Sequence, residues 1–169
     1  MPDANDWIER LGLEAHPEGG YYARTYAADA VIDGAHLPDR YDDDRPTATA
    51  IYYLLEADDF SAFHRLRSDE IWHFYRGDPL TLYVLDDGLE TIELGRDRFQ
   101  AVVHRDTWFA AELTRDGSDH GYALVGCTVT PGFHYDDFEL AGPELADEYP
   151  HYGDLIVRLT RRANAVSDD

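Results

Sequence analysis

Residues 60–77 read FSAFHRLRSDEIWHFYRG, and apolar and polar side chains alternate through most of the run. A period of two is the signature of a strand with one buried face. Phe60, Ala62, His64 and Leu66 share one face of a first strand. Glu70, Trp72 and Phe74 share one face of a second, with Arg67, Ser68 and Asp69 as the turn of a hairpin. The pattern therefore predicts an imidazole and a carboxylate on a wall that is otherwise apolar and aromatic. Ligand pockets are built this way, with a few polar groups set in apolar surface. A carboxylate facing inward on a strand is costly unless it is paired or functional, which makes Glu70 the hardest residue to dismiss. Arg65 and Arg67 alternate with the inward set and are expected in surface ion pairs of little energetic weight.

The rest of the chain carries the same grammar. Strands are predicted over 20–28, 47–55, 80–85, 91–94, 99–104, 107–113 and 121–130. Asp86-Asp87-Gly88 and Gly95-Arg96-Asp97 supply turns, and a polar turn covers 114–120. About eight to ten short strands at regular spacing define an antiparallel architecture, closed or in two sheets. A short helix is expected over 6–13, capped by Asn5 or Asp6, and another over 153–162 on the outside of the barrel. His16-Pro17-Glu18-Gly19-Gly20 is a turn signal, with the His16 ring bonded to backbone. Residues 29–45 read as a solvated loop or short hairpin. The whole chain, 1–169, is expected to be one domain, with a barrel core of about 18–135 and a helical tail of about 136–162.

Charge limits the partners. The chain has 35 acidic residues against 14 basic ones, all arginine, for a net charge of -21. Such a surface repels nucleic-acid phosphates and anionic membranes. Disorder is opposed by 44% hydrophobic and 13% aromatic residues. A folded, carboxylate-rich chain without lysine fits a high-salt cytoplasm, where screening removes self-repulsion. A cytoplasmic location is expected, since no basic-then-apolar leader and no membrane-length apolar run is present. The one cysteine, Cys127, lies in the apolar run YALVGCTV and reads as a buried, inert thiol.

Several ordered blocks resemble a known family. These are HPEGG at 16–20, FHRLRSDEIWHFYRGDPL at 63–80, TWFAA at 107–111 and LVGCTVTPGF at 124–133. Together they are similar to the cupin superfamily, and within it to cupin family five, a domain of unknown function. The likeness runs over about residues 5–162. It implies an all-β, cupin-like double-stranded β-helix, or jelly-roll, barrel with short helices at both ends.

The resemblance also frames the chemistry. Many cupins hold a divalent metal with three histidines and a glutamate. His64 and Glu70 stand at two of those positions, and Leu66 and Phe109 stand at the other two. A catalytic metal ordinarily needs three protein ligands and an open position, so no metal cofactor is expected here. His104 and His134 are spare, and a nonstandard metal set would be His64, Glu70 and His134. The metal-free alternative is proton transfer, with His64 as general base and Glu70 orienting it. Tyr83 or Tyr122 would return the proton. Cupin-fold sugar-nucleotide epimerases and isomerases use such parts, and the analogy is one of fold and arrangement. Trp72, Trp108 and Phe109 are candidates for stacking on a ligand ring, with Phe74 beside them. Gln100 and Tyr122 are candidates for hydrogen bonding to it. His73 is a further ligand candidate, although the register puts it on the outer face. Three readings follow: an epimerase- or isomerase-like enzyme on a carbohydrate-type ligand, a binding module without turnover, and a metal-dependent oxygenase or isomerase. A homodimer is expected, with Tyr21, Tyr22 and Tyr26 as its candidate face.

Overall fold

The computed structural model describes residues 1–116 and 119–161. Helix α1 (Ala4–Leu11) precedes a two-residue strand β1 (Glu14–Ala15) and the long β2 (Tyr21–Ala27). A short arm β3 (Val31–Ile32) and β4 (Arg45–Pro46) follows, then β5 (Thr49–Glu56), β6 (Ser61–Leu66) and β7 (Asp69–Gly77). Strands β8 (Leu80–Leu85), β9 (Leu89–Leu94), β10 (Gln100–Val103), β11 (Trp108–Leu113) and β12 (Tyr122–Thr130) complete the barrel. The chain ends in β13 (Phe138–Leu140), α2 (Leu145–Glu148) and α3 (Gly153–Arg158). Two residues of the expected 114–120 turn, and residue 162 of the expected last helix, lie outside the described residues.

Two antiparallel sheets face each other. One has the order β1-β2-β5-β12-β7-β10 and the other β13-β6-β11-β8-β9. This is the two-sheet antiparallel arrangement among those the strand spacing allows, and the jelly roll that the family resemblance implies. The central hairpin is corrected, however. β6 and β7 do not pair; they lie in opposite sheets, and the residues between them form a corner. His64 and Glu70 therefore face each other across the interior instead of standing side by side.

Alternation explains the layers. Between the sheets, Trp72 of β7, Phe109 of β11, Tyr53 and Leu55 of β5 and Val125 of β12 form the central core. The outer face of the five-stranded sheet is covered by the tail, where Leu145, Ile156 and Leu159 pack on Phe63, Leu85 and Trp108. Phe60 joins that outer cluster and does not share His64's face. One end of the six-stranded sheet's outer face is covered by α1 through Trp7, Ile8 and Leu11, which pack on Leu54, Tyr122 and Leu124. The cap of α1 is Asp3, in a reciprocal capping box with Asp6, so the helix begins two residues earlier than its sequence pattern indicates. Among the described residues no helix is long and apolar enough to cross a membrane.

Candidate functional site

A cavity of about 480 Å³ opens between the sheets, within the range typical of small-molecule sites. The turn before β2 supplies His16 and Glu18, and β2 itself supplies Tyr22 and Arg24. His64 and Leu66 come from β6, Glu70 from β7 and Cys127 from β12. Phe133, Tyr135 and Phe138 close the remaining side.

The turn at 16–20 is held from all directions. Tyr53 Oη donates to Gly19 O at 2.6 Å, and Gly20 N donates to Asp59 Oδ2 at 2.8 Å. Glu18 O accepts from Ala62 N at 2.8 Å and from Arg161 Nε at 3.1 Å. The two glycines are required here. Both have positive φ, and a Cβ on Gly19 would run into Phe60 O while one on Gly20 would meet Leu54 O. Pinned this way, the turn drives the Glu18 side chain inward. Its Oε2 lies 3.0 Å from His64 Nε2.

His64 is fixed at both nitrogens. Nδ1 lies 2.7 Å from Ala62 O, and a carbonyl only accepts, so Nδ1 carries a proton. The bond from Nε2 to Glu18 then needs a second proton on the ring or one on the acid. Burial opposes charge on both groups, yet Glu18 is held below the usual carboxylate range and His64 above the usual imidazole range, each by the other's charge and hydrogen bond. The pair is an imidazolium and a carboxylate. Phe109 and Phe138 flank the ring at centroid distances of 4.2 and 5.5 Å.

Glu70 is the surplus acid. Burial is the largest influence on it, and the neighbouring Glu18 charge adds to the same effect; His64 opposes both, and the result is a carboxyl pushed up to about 7. The Cys127 thiol and the Trp72 indole favour the ionised form, although the indole N–H does not reach hydrogen-bonding geometry with any group. A carboxyl in this range exchanges its proton near neutrality, as general acid–base chemistry requires.

The other sequence candidates fall elsewhere. Trp72 is 1% exposed and belongs to the core below the cavity, and Phe109 reaches the site only as a flank of His64. Trp108 points to the opposite face of β11, under the tail and beneath the Arg65 guanidinium. Tyr122 lies in the α1 cluster and accepts from Trp7 Nε1 at 2.8 Å. His73 and Gln100 bond each other at 3.1 Å on the outside of the six-stranded sheet. Tyr83 donates to Glu112, outside the cavity. Each of these residues sits in a period-two run, and that pattern reports facing but not depth, nor which outer face is covered. The orienting role expected of Glu70 is filled by Glu18, which sequence reasoning passed over. Its signal was the carboxylate set inside a Pro–Gly–Gly turn. His16 bonds the backbone as a turn residue should, Nδ1 accepting from Glu18 N at 3.1 Å, and it also lines the cavity.

The residues do not fit the metal set that the family resemblance brings. Leu66 and Phe109 occupy two ligand positions with buried hydrocarbon, and both His64 nitrogens are engaged. His104 and His134 are exposed and stand beside Asp69 and Asp136. Among the described residues no three His, Cys, Asp or Glu side chains are grouped to hold an ion.

Comparison with known proteins agrees with this architecture. The family described as Cupin superfamily (DUF985) matches residues 5–141. A hypothetical protein from Leishmania major is 31% identical, with TM-score 0.85, covering 95% of this chain and 100% of that one. A protein from Shewanella oneidensis is 36% identical, with TM-score 0.84, covering 96% and 99%. An L-ribose isomerase from Cellulomonas parahominis shares the fold at 12% identity and TM-score 0.51, over 67% of this chain and 61% of that one. No functionally curated protein matches in sequence. The chain belongs to the cupin superfamily, in its DUF985 family.

Proposed function

We propose that this cupin binds a small carbohydrate-type molecule in the cavity and moves a proton on it, in the manner of an epimerase or isomerase. The observation that carries the reading is Glu70, a cavity-lining carboxyl pushed up to about 7 beside a locked imidazolium–carboxylate pair. In this reading Glu70 takes a proton from carbon next to a carbonyl, and His64 holds the local field fixed. His64 itself is not the base, because neither nitrogen has a free lone pair. The isomerase likeness contributes only the precedent that the fold can house such chemistry.

The test is hydrogen exchange in concentrated KCl. Aldoses, keto-sugars and sugar nucleotides are incubated in D2O, and deuterium entering the carbon-bound position is followed by NMR. Glu70→Gln should lower exchange at least about a hundredfold while binding persists. Exchange that survives in Glu70→Gln overturns the base assignment. Binding without exchange in the wild type makes the protein a non-catalytic binding module.

We infer further that two copies associate through the outer face of the six-stranded sheet. Two adjacent rows cross it: Val102, Ile71, Thr128, Ala50 and Tyr26, then Gln100, His73, Gly126, Tyr52 and Ala23. None of these ten residues is Asp, Glu, Lys or Arg, in a chain where those four types make up 29%. Two copies with a net charge of -21 each repel least where neither presents carboxylates, and a basic partner would instead need them. Sedimentation should show a dimer that Tyr26→Glu disrupts; a monomer at all concentrations overturns the inference.

A further inference from the structure

We infer that the ligand of this cavity carries both an anionic group and a carbonyl, and that Arg24 anchors the anion while His16 donates a hydrogen bond to the carbonyl oxygen. This rests on the proton-transfer reading above and names its substrate class: an acidic sugar or a related hydroxy- or keto-acid.

The first observation is His16. Its side chain is 7% exposed, and Nδ1 accepts the Glu18 backbone N–H. An acceptor nitrogen carries no proton, so the single proton of this neutral ring sits on Nε2. Burial keeps the ring neutral by lowering its affinity for a second proton. Among the described residues nothing accepts from Nε2, yet the residue lines the cavity. Nε2 is not among the buried polar atoms that lack a partner, so it is open to the cavity, where a ligand oxygen can accept from it in place of water.

Arg24 is the second. It lines the cavity, close enough to Tyr135 for its charge to ease that phenol's ionisation. Acids outnumber bases 35 to 14 in the chain, yet no carboxylate lies within ion-pair distance of Arg24 among the described residues. Arg45, Arg65, Arg67, Arg158 and Arg161 all have such partners; Arg10, Arg40, Arg76 and Arg98 have no such partner among the described residues, but none of those four lines the cavity. A guanidinium suits carboxylate and phosphate alike. Tyr22 and Tyr135, whose phenol oxygens are 3.5 Å apart, add hydroxyls to the same wall. Donors thus gather on the side formed by the turn and β2, with Glu14 at the same rim and Glu70 as the surplus acid buried within.

The step balances without any co-reactant. Glu70 as carboxylate takes the proton of the carbon next to the carbonyl. The C–H electron pair forms the new C=C bond, and the C=O π pair moves onto oxygen, where the His16 Nε2–H stabilises it. Return of the proton from Glu70 to the neighbouring carbon, with the proton of the hydroxyl on the first carbon passing to the enolate oxygen, gives the isomer, and return to the first carbon after the ligand has turned its other face to Glu70 gives the epimer.

Three probes sharing one ring, D-galactose, D-galacturonate and D-galactose 6-phosphate, distinguish the possibilities by calorimetric titration at moderate and high KCl. At least one acid should bind at least about tenfold more tightly than galactose, and the better acid identifies carboxylate or phosphate as the anchor. Arg24→Gln, an exposed position, should bring that acid to the level of galactose. His16→Asn keeps an acceptor for Glu18 N but removes the Nε2 donor; it should lower the exchange rate about a hundredfold with little change in Kd. Equal binding of all three probes, no binding of either acid, or a preference that survives Arg24→Gln overturns the anion assignment. Unchanged exchange in His16→Asn overturns the role of His16. Arg24-dependent binding without any exchange would leave the anion site standing and remove the proton-transfer reading. Glu70-dependent exchange on galactose alone would do the reverse.

Discussion

Two buried ion pairs in this protein look alike by burial and differ in how completely they are satisfied. Arg45, 1% exposed, makes two bonds of 2.8 Å to the Asp137 carboxylate and donates to the backbone oxygens of Asp43 and Asp44. One cation meets one anion, and four of the five guanidinium N–H groups have acceptors. It joins β4 to the 3-10 turn that leads into β13. At the cavity, one imidazolium faces two carboxylates, Glu18 and Glu70. One acid is paired and the other is left over, beside a histidine donor with no acceptor. A buried group with nothing left to satisfy is scaffold. One with unmet capacity is where a ligand has something to do.

The largest effect should come from breaking the satisfied pair. Asp137→Ala strands a buried guanidinium, and such losses cost about 3–5 kcal/mol. Urea unfolding should show the midpoint fall with an unchanged slope. A loss below about 1 kcal/mol would mean that water reaches Arg45, and the contrast with the cavity would weaken.

Glu70→Gln should move stability the other way. The folded protein binds this proton more tightly than the unfolded chain, so the group's contribution falls as pH rises from the free carboxyl value of 4.5 and levels off above about 7. Below that window the acid is neutral in both states, and wild type and variant should coincide. Above it the variant should be the more stable, by as much as about 3 kcal/mol. Equal stability across the whole pH range would show that Glu70 is not a surplus charge.

Glu18→Gln sharpens the comparison with a smaller change. The amide oxygen can still accept from His64 Nε2, but the ring loses the charge that holds it protonated. A loss of about 1–3 kcal/mol is expected near neutral pH. NMR titration should show His64 titrating lower. Glu70 should titrate higher, because the His64 charge that lowers it outweighs the Glu18 charge that raises it, and the variant loses both. A Glu70 that titrates lower would mean that His64 keeps its proton without Glu18.

What the sequence made legible divides along the same line. Alternation in 60–77 placed His64 and Glu70 inside, and it did so because a strand has only two faces. It did not show that they sit in opposing sheets, since Arg67 and Ser68 serve a corner as well as a hairpin. Glu18 has no periodicity to betray it. It lies in a turn, and its partner is 46 residues away, joined to it only by the fold. Trp108 and Tyr122 were drawn toward the cavity because their runs give no sign that the tail and α1 cover the outer faces. Aromatic residues satisfy either environment.

The smallest effect tests the idea at its edge. Ser61 is fully buried next to the Glu18 turn, and its hydroxyl makes no hydrogen bond. It still acts as a weak donor that favours the charged forms of Glu18 and Tyr53, in contacts too long or too bent to satisfy it. Removing an unsatisfied hydroxyl relieves a desolvation cost, while removing a bonded one exposes its partner. Ser61→Ala should therefore leave stability within about 1 kcal/mol of wild type, on the stabilising side, with a small rise in the Glu18 pKa as its electrostatic trace. A clear destabilisation would show that the hydroxyl is bonded after all. The boundary between the satisfied scaffold and the open site would then lie closer to Glu18 than the hydrogen bonds place it.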